Sequence, residues 1–158
     1  MLWQIIVVFF SINLSLADKV DESSMLKTSN PKIQFLTKYI FKTELPSATR
    51  YTISTDALFK EDLSYMPQID QTLSPIVEAS KSARRVLIHA FSDAGLQDRI
   101  GVAISNEQAQ RVMDYLWFKG INYNVMAAQG MGFSEERLLN NKEVLGDFFN
   151  RRIEIDIN

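Results

Sequence analysis

The chain has no cysteine and a single histidine, His89. Disulfides, thiol catalysis and Cys-ligated metals are therefore closed to it. His89 sits between Ile88 and Ala90, with no second histidine and no spaced acid cluster beside it. A lone imidazole makes neither a metal centre nor an acid–base dyad. Serines are plentiful, but no Gly-x-Ser-x-Gly elbow holds one of them as a nucleophile. No catalytic residue, metal or cofactor is expected. An excess of one charge is also missing. Lys and Arg number 17 against 19 Asp and Glu, a net charge of −2, mixed along the chain. Such a balance excludes a general affinity for nucleic acid. There is no internal repeat and no low-complexity tract.

The one long apolar run is Leu2 to Leu16 (LWQIIVVFFSINLSL), which carries no charged side chain. It falls short of the roughly 20 residues that span a bilayer. Ser15-Leu16-Ala17 supplies small residues at the spacing of a signal-peptide cleavage site, so residues 1–17 are expected to be a secretory leader. An uncleaved anchor is the alternative, because Met-Leu-Trp-Gln has neither Lys nor Arg. No cysteine follows, so the lipid anchor of bacterial lipoproteins is not expected. Residues 18–50 form a polar lead-in. After Pro31 the spacing of Ile33, Leu36, Tyr39 and Ile40 predicts a short helix, lying on its own domain or against a partner. Leu45-Pro46-Ser47-Ala48 ends that pattern.

From residue 51 to 158 strands and helices alternate. Tyr51 to Phe59 reads as a strand. Ile69, Leu73, Ile76 and Val77 form a helical stripe, with Pro67 suited to a first turn and Pro75 placed to kink or break the helix. Val86 to Phe91 reads as a buried strand. Ser105 is expected to open the best helix of the chain. Ala109, Val112, Met113 and Leu116 line one side of it, and Gly120 stops it. Tyr123 to Ala128 is a strand, and Glu143 to Phe149 a shorter helix. Trp117, Phe148 and Phe149 read as core. In the closing strand Ile153, Ile155 and Ile157 alternate with Arg152, Glu154 and Asp156, which predicts one buried and one wet face. The sum is an α+β, two-layer βαβαβ(α)β sandwich with helices on one face of a mixed sheet.

Several motifs occur in order along this domain. Ala90-Phe91-Ser92-Asp93 stands where a Gly-His-Thr-Asp would. Ile104-Ser105 stands for a Leu-Ser, and Ala109, Val112, Tyr115-Leu116 and Gly120-Ile121 follow in register. Gly130-Met131-Gly132 matches a Gly-x-Gly, Asn141 and Gly146 match an Asn five residues before a Gly, and Asn150-Arg151-Arg152-Ile153-Glu154-Ile155 matches an Asn-Arg-Arg-(Val/Ile)-Glu-Ile ending. The stretch from about Tyr51 to Ile157 thereby resembles the OmpA-like, peptidoglycan-associating domain family. That resemblance implies the sandwich above and a binding role without catalysis. It also implies a pocket for the diaminopimelate of peptidoglycan stem peptides. An acid of the Thr-Asp pair takes the ligand's ammonium, and an arginine of Leu-Ser-x-x-Arg-Ala takes its carboxylate.

In this chain the acid is kept as Asp93, with Ser92 as a hydroxyl neighbour. The arginine is replaced by Gln108, an asparagine by Gly101, and a later arginine by Asp147. A bidentate Arg–carboxylate contact contributes roughly 1.5–3 kcal/mol, so its loss weakens binding about ten- to a hundredfold unless something compensates. Arg151, which strand parity puts on the Ile153 side, is the candidate substitute, with Arg152 beside it. The expected ligand-binding set is thus Ser92, Asp93, Gln108, Arg151 and Arg152. Each has a structural alternative: a turn at Asp93, a capping box between Ser105 and Gln108, and surface pairs with Glu154 and Asp156 for the arginines. Gly130 and Gly132 are expected to permit a turn.

The implied function is a non-catalytic periplasmic module, at the outer membrane or cell wall, that associates an envelope assembly with peptidoglycan. The alternative is a subunit of a multi-component envelope machine, such as a type IV secretion system, that works by protein–protein docking with peptidoglycan binding weakened or lost. Its partners would be peptidoglycan and envelope proteins, with no nucleic acid and no lipid anchor.

Overall fold

The computed structural model describes residues 33–92, 98–133 and 150–158. The expected leader, the polar segment up to residue 30, Asp93 and the helix expected over residues 143–149 lie outside them. So do Asn141, Gly146 and Asp147.

The strand β1 (Ile33–Thr37) pairs antiparallel with β2 (Ile40–Glu44), and β2 with β3 (Thr49–Ser54). The helix expected from Ile33, Leu36, Tyr39 and Ile40 is therefore a hairpin. Four apolar residues over so short a span are a weak helical signal, and cross-strand partners decided the outcome. Phe35 faces Phe41 with ring centroids 5.7 Å apart, and Ile40 and Phe41 are buried. The boundary drawn at residue 50 falls inside β3. Residues 33–44 of the lead-in supply two strands of the same sheet.

After β3 the chain makes a 3-10 turn at Thr55–Ala57, so the expected strand to Phe59 ends early. Helix α1 (Ile69–Ser80) runs through Pro75 without breaking. Pro75 lies on its exposed side, while Leu73, Ile76 and Val77 are buried and hold the helix across the lost hydrogen bond. Strand β4 (Val86–Ser92) leads to helix α2 (Asp98–Phe118). A 3-10 turn (Tyr123–Val125) precedes β5 (Met126–Phe133), and β6 (Arg152–Ile157) closes the fold.

Among the described residues the six strands are ordered β1-β2-β3-β6-β4-β5, and of their pairings only β4 with β5 is parallel. Leu73 and Ile76 of α1 and Ala109, Val112 and Leu116 of α2 share one core with Ile53, Val86, Ile88, Ile153 and Ile155. The result is the expected two-layer α+β sandwich on a mixed sheet.

Two details of α2 depart from expectation. It starts at Asp98, so Ser105 is inside the helix and not its N-cap, and no capping box joins it to Gln108. Ser105 is buried. Its hydroxyl donates to the Val102 carbonyl (3.0 Å) and accepts from the Gly132 N–H (3.0 Å). Tertiary contact outweighed the local capping pattern. Trp117 and Phe118 at the far end are 61% and 78% exposed, so Trp117 is not core. Gly120 ends the helix as expected. At φ +92° it lets its own N–H reach Trp117 and the Ile121 N–H reach Leu116.

The charged side of β6 is not wet. Arg152 and Glu154 are 4% and 5% exposed. β6 is central, with β3 on one side and β4 on the other, so its charges meet neighbours before water. Arg50 of β3 grips Asp156 with two hydrogen bonds (2.6 and 2.7 Å) and reaches Glu154 at 2.9 Å. Arg152 donates to Glu154 at 2.6 Å and lies over the Phe91 ring of β4, 3.9 Å from its centroid.

Candidate functional site

Strands β3 and β4 end, and β6 begins, at the same margin of the sheet. An open cleft of about 830 Å³ lies there, within the range of small-molecule sites. Its described walls come from the turn after β3 (Thr55, Asp56, Phe59), the end of β4 (Phe91, Ser92), helix α2 (Ile104, Gln108) and Arg151 just before β6. Residues far apart in the chain thus converge. Three of the five expected ligand residues, Ser92, Gln108 and Arg151, line this one cleft. Arg152 does not line it, because strand parity turns its side chain into the network with Glu154. Asp93 follows directly on Ser92 and lies outside the described residues.

Ser92 is 5% exposed, and its hydroxyl has no hydrogen-bond partner among the described residues. A buried polar group left unsatisfied is costly, so an unpaired hydroxyl at a cleft wall suits a ligand contact. Gln108 is half-buried on α2 and offers a neutral amide. The Arg151 guanidinium meets the Asp56 carboxylate at 3.0 Å, Nη2 to Oδ2. Backbone geometry holds the two together. The Thr55 N–H donates to the Arg151 carbonyl at 3.1 Å.

Sequence reasoning missed Asp56 and the loop that forms the outer wall. Lys60 and Ser64 close that loop, with the Lys60 N–H donating to the Ser64 carbonyl at 2.9 Å. The Asp62 carboxylate accepts from the Ser64 N–H and hydroxyl (2.9 and 2.6 Å). The hydroxyl bond, then the amide bond, hold it below the usual carboxylate range. Leu63 takes a left-handed φ of +62°, a strain of about 1–2 kcal/mol for a side chain of this kind. The Asp-x-Ser pattern of an Asx turn was the available signal. Asp56 had none, since its partner lies 95 positions away.

The opposite wall is built by close contact. Gly130 and Gly132 are not in a turn but in β5, where the register with β4 shifts by one residue at Met131. A Cβ on Gly130 would stand 2.2 Å from the Asn106 backbone nitrogen and 2.6 Å from the Ser105 carbonyl carbon. The Gly130 N–H donates to Asn106 Oδ1 at 2.6 Å. A glycine inside a strand pattern is the signal of such close backbone approach.

No family model matches the chain. Outer membrane protein A of Serratia marcescens is 30% identical over 88 residues, covering 52% of this chain and 24% of that protein. The match thus spans about a quarter of its length. Among solved structures, the periplasmic domain of Helicobacter pylori MotB superposes with a TM-score of 0.66 at 16% identity, covering 82% of this chain and 88% of that one. The cell wall anchor of the T6SS from Pseudomonas aeruginosa gives a TM-score of 0.63 at 24% identity, covering 76% and 87%. These likenesses carry the fold.

Proposed function

We propose that this chain, whose fold is that of the OmpA-like domains, is a non-catalytic module that ties an envelope assembly to peptidoglycan. The convergence of Ser92, Gln108 and Arg151 on one cleft carries this reading. A diaminopimelate head group presents an ammonium and a carboxylate on one carbon. Arg151 supplies the cation that the Gln108 position lacks, Gln108 and Ser92 supply neutral hydrogen bonds, and Asp93, next to Ser92, supplies the anion. A guanidinium is suited to a carboxylate because its N–H groups match both oxygens. The cell wall anchor of the T6SS from Pseudomonas aeruginosa, on the same fold, supports the assignment. Export through a leader over residues 1–17 would bring the domain to the periplasm, where its ligand is.

Sedimentation with purified sacculi tests this. The wild-type protein is expected to pellet with the sacculi and an Asp93→Ala variant to stay in the supernatant. Wild-type protein that remains in the supernatant would remove the wall-binding assignment.

A second reading is favoured by the exposed aromatics Trp117 and Phe118 at the end of α2. There the domain serves a multi-component envelope machine by protein docking, and the cleft is vestigial. Failure to pellet, together with co-purification in a large envelope complex that a Trp117→Ala variant leaves, would favour it.

A further inference from the structure

We propose that the end of the sheet opposite the cleft docks on an anionic phospholipid surface. The contact is made by the exposed rings of Trp117, Phe118 and Tyr123 and the guanidinium groups of Arg84 and Arg85. This inference goes beyond wall binding and does not use the cleft.

The topology gathers these residues. β4 and β5 run parallel, and Val86 at the start of one is the partner of Met126 at the start of the other. Arg84 and Arg85 come directly before Val86, and the turn Tyr123–Val125 directly before Met126. Helix α2 stops at Phe118, and the Ile121 N–H on the Leu116 carbonyl (3.1 Å) turns the chain towards β5. Trp117, Phe118 and Tyr123 are 61%, 78% and 51% exposed. The arginine backbones are fixed. The Arg84 and Arg85 N–H groups donate to the Asn158 backbone oxygen (2.7 and 3.2 Å), and the Asn158 N–H donates to the Arg85 carbonyl (3.1 Å).

Tryptophan and tyrosine join an apolar body to one polar N–H or O–H, which suits the headgroup level of a bilayer, and phenylalanine adds apolar area. Charge then selects the occupant. Lys42 is paired with Glu44 (2.7 Å), Lys81 with Glu78 (2.6 Å) and Lys119 with Asp70 (2.6 Å). Arg84 and Arg85 are exposed and have no acid partner among the described residues. Asp114, one turn before Phe118, is bonded only to the Gln110 amide among those residues. Two free cations against that one acid leave this end basic in a chain whose net charge is −2. A guanidinium meets phosphate oxygens through paired N–H bonds. A protein partner would have to bring acids to two fixed points, whereas an anionic bilayer offers phosphates at every lateral position. From Val86 to Ser92 β4 rises about 20 Å, so a domain seated this way holds its cleft that far from the lipid and turned away from it.

Vesicle titration tests this. Residues 31–158 make one compact unit that holds the whole described sheet and core. In that chain Trp117 is the only tryptophan, since Trp3 is left out. Its emission is followed against vesicles of phosphatidylcholine alone and of an equal mixture of phosphatidylcholine and phosphatidylglycerol. A blue shift is expected with the mixed vesicles, and about tenfold or more additional lipid should be needed with the neutral ones. Arg84→Gln together with Arg85→Gln should abolish that preference. Phe118→Ser should weaken binding to both by about tenfold. All three changes are at exposed side chains, so melting curves should match the wild type and separate lost binding from lost fold. No shift with either vesicle overturns the proposal. So does an anionic preference that the double arginine variant keeps in full. A protein complex that Phe118→Ser breaks, with no response to lipid, overturns it too and gives this end to a protein. Sacculi take no part in these measurements, so failure here leaves wall binding as it stands.

Discussion

Arg151 and Arg152 are neighbours in the chain and opposites in environment. Arg152 is buried on one side of the sheet, bonded to Glu154 and stacked on Phe91. Arg151 points to the other side, half in water, at the wall of the cleft with Asp56. One step along a strand separates them, and with it a buried position from an open one. Buried among partners, a guanidinium is needed where it stands. At an open margin it can be exchanged between an internal acid and a ligand. The motif Asn-Arg-Arg therefore puts its two arginines in different surroundings, and treating them as one pair blurs that difference.

The largest effect should come from the buried side. Glu154→Ala removes the carboxylate that Arg152 and Arg50 share. Removing the acid from a buried ion pair costs about 3–5 kcal/mol, here chiefly through Arg152 because Arg50 keeps Asp156, and urea unfolding would read it as a lowered midpoint. A loss under about 1 kcal/mol would mean that this network is solvated like a surface pair, and the contrast with Arg151 would collapse.

A third ion cluster sits between the extremes and sharpens the contrast. The Tyr115 hydroxyl donates to Asp70 at 2.5 Å, and Lys119 reaches the same carboxylate at 2.6 Å. The ring is buried while the acid is exposed. Tyr115→Phe should cost about 1 kcal/mol, the worth of one net hydrogen bond. Its pH dependence is distinctive. Burial, and then the bond to Asp70, push the Tyr115 pKa above that of a free phenol. The stability tied to this group is fully present below about pH 10 and is lost as pH rises towards the folded pKa. Melting curves of Tyr115→Phe should therefore fall less steeply above pH 10 than those of the wild type. Equal slopes would refute the assignment. The smallest effect belongs to Arg151→Gln, which should change stability by no more than about 0.5 kcal/mol while weakening sedimentation with sacculi. A large loss of stability would make Arg151 a structural residue like its neighbour.

The alternation of β6 was legible because period two is unambiguous over six residues with three isoleucines. What it left unread was the burial of the charged side. That depends on β3 and β4 flanking the strand, and on Arg50 arriving from 106 positions away. The hairpin of β1 and β2 was misread for a related reason. Apolar residues spaced by three over eight positions fit the helical period, and only pairing across to Phe41 overrules it. Ser105 shows a local pattern overruled: the residues after it satisfy a capping box, yet its hydroxyl is engaged by Gly132 of β5. At the site, ordered motifs located Ser92, Gln108 and Arg151. Asp56 carried no motif, and only the fold brings it to Arg151.

The contact between Gly130 and the turn of α2 at Ser105 and Asn106 leaves no room for even a methyl group. Helix and edge strand are thereby indexed to each other at backbone level, without compliant side chains between them. Gln108 rides on the next stretch of that helix, so its distance from the sheet is set by peptide dimensions and hardly at all by rotamer choice. Anything seated in the cleft would meet one unyielding wall here, and whatever adjustment fitting requires would have to come from the opposite rim, where Leu63 already holds an uncomfortable backbone.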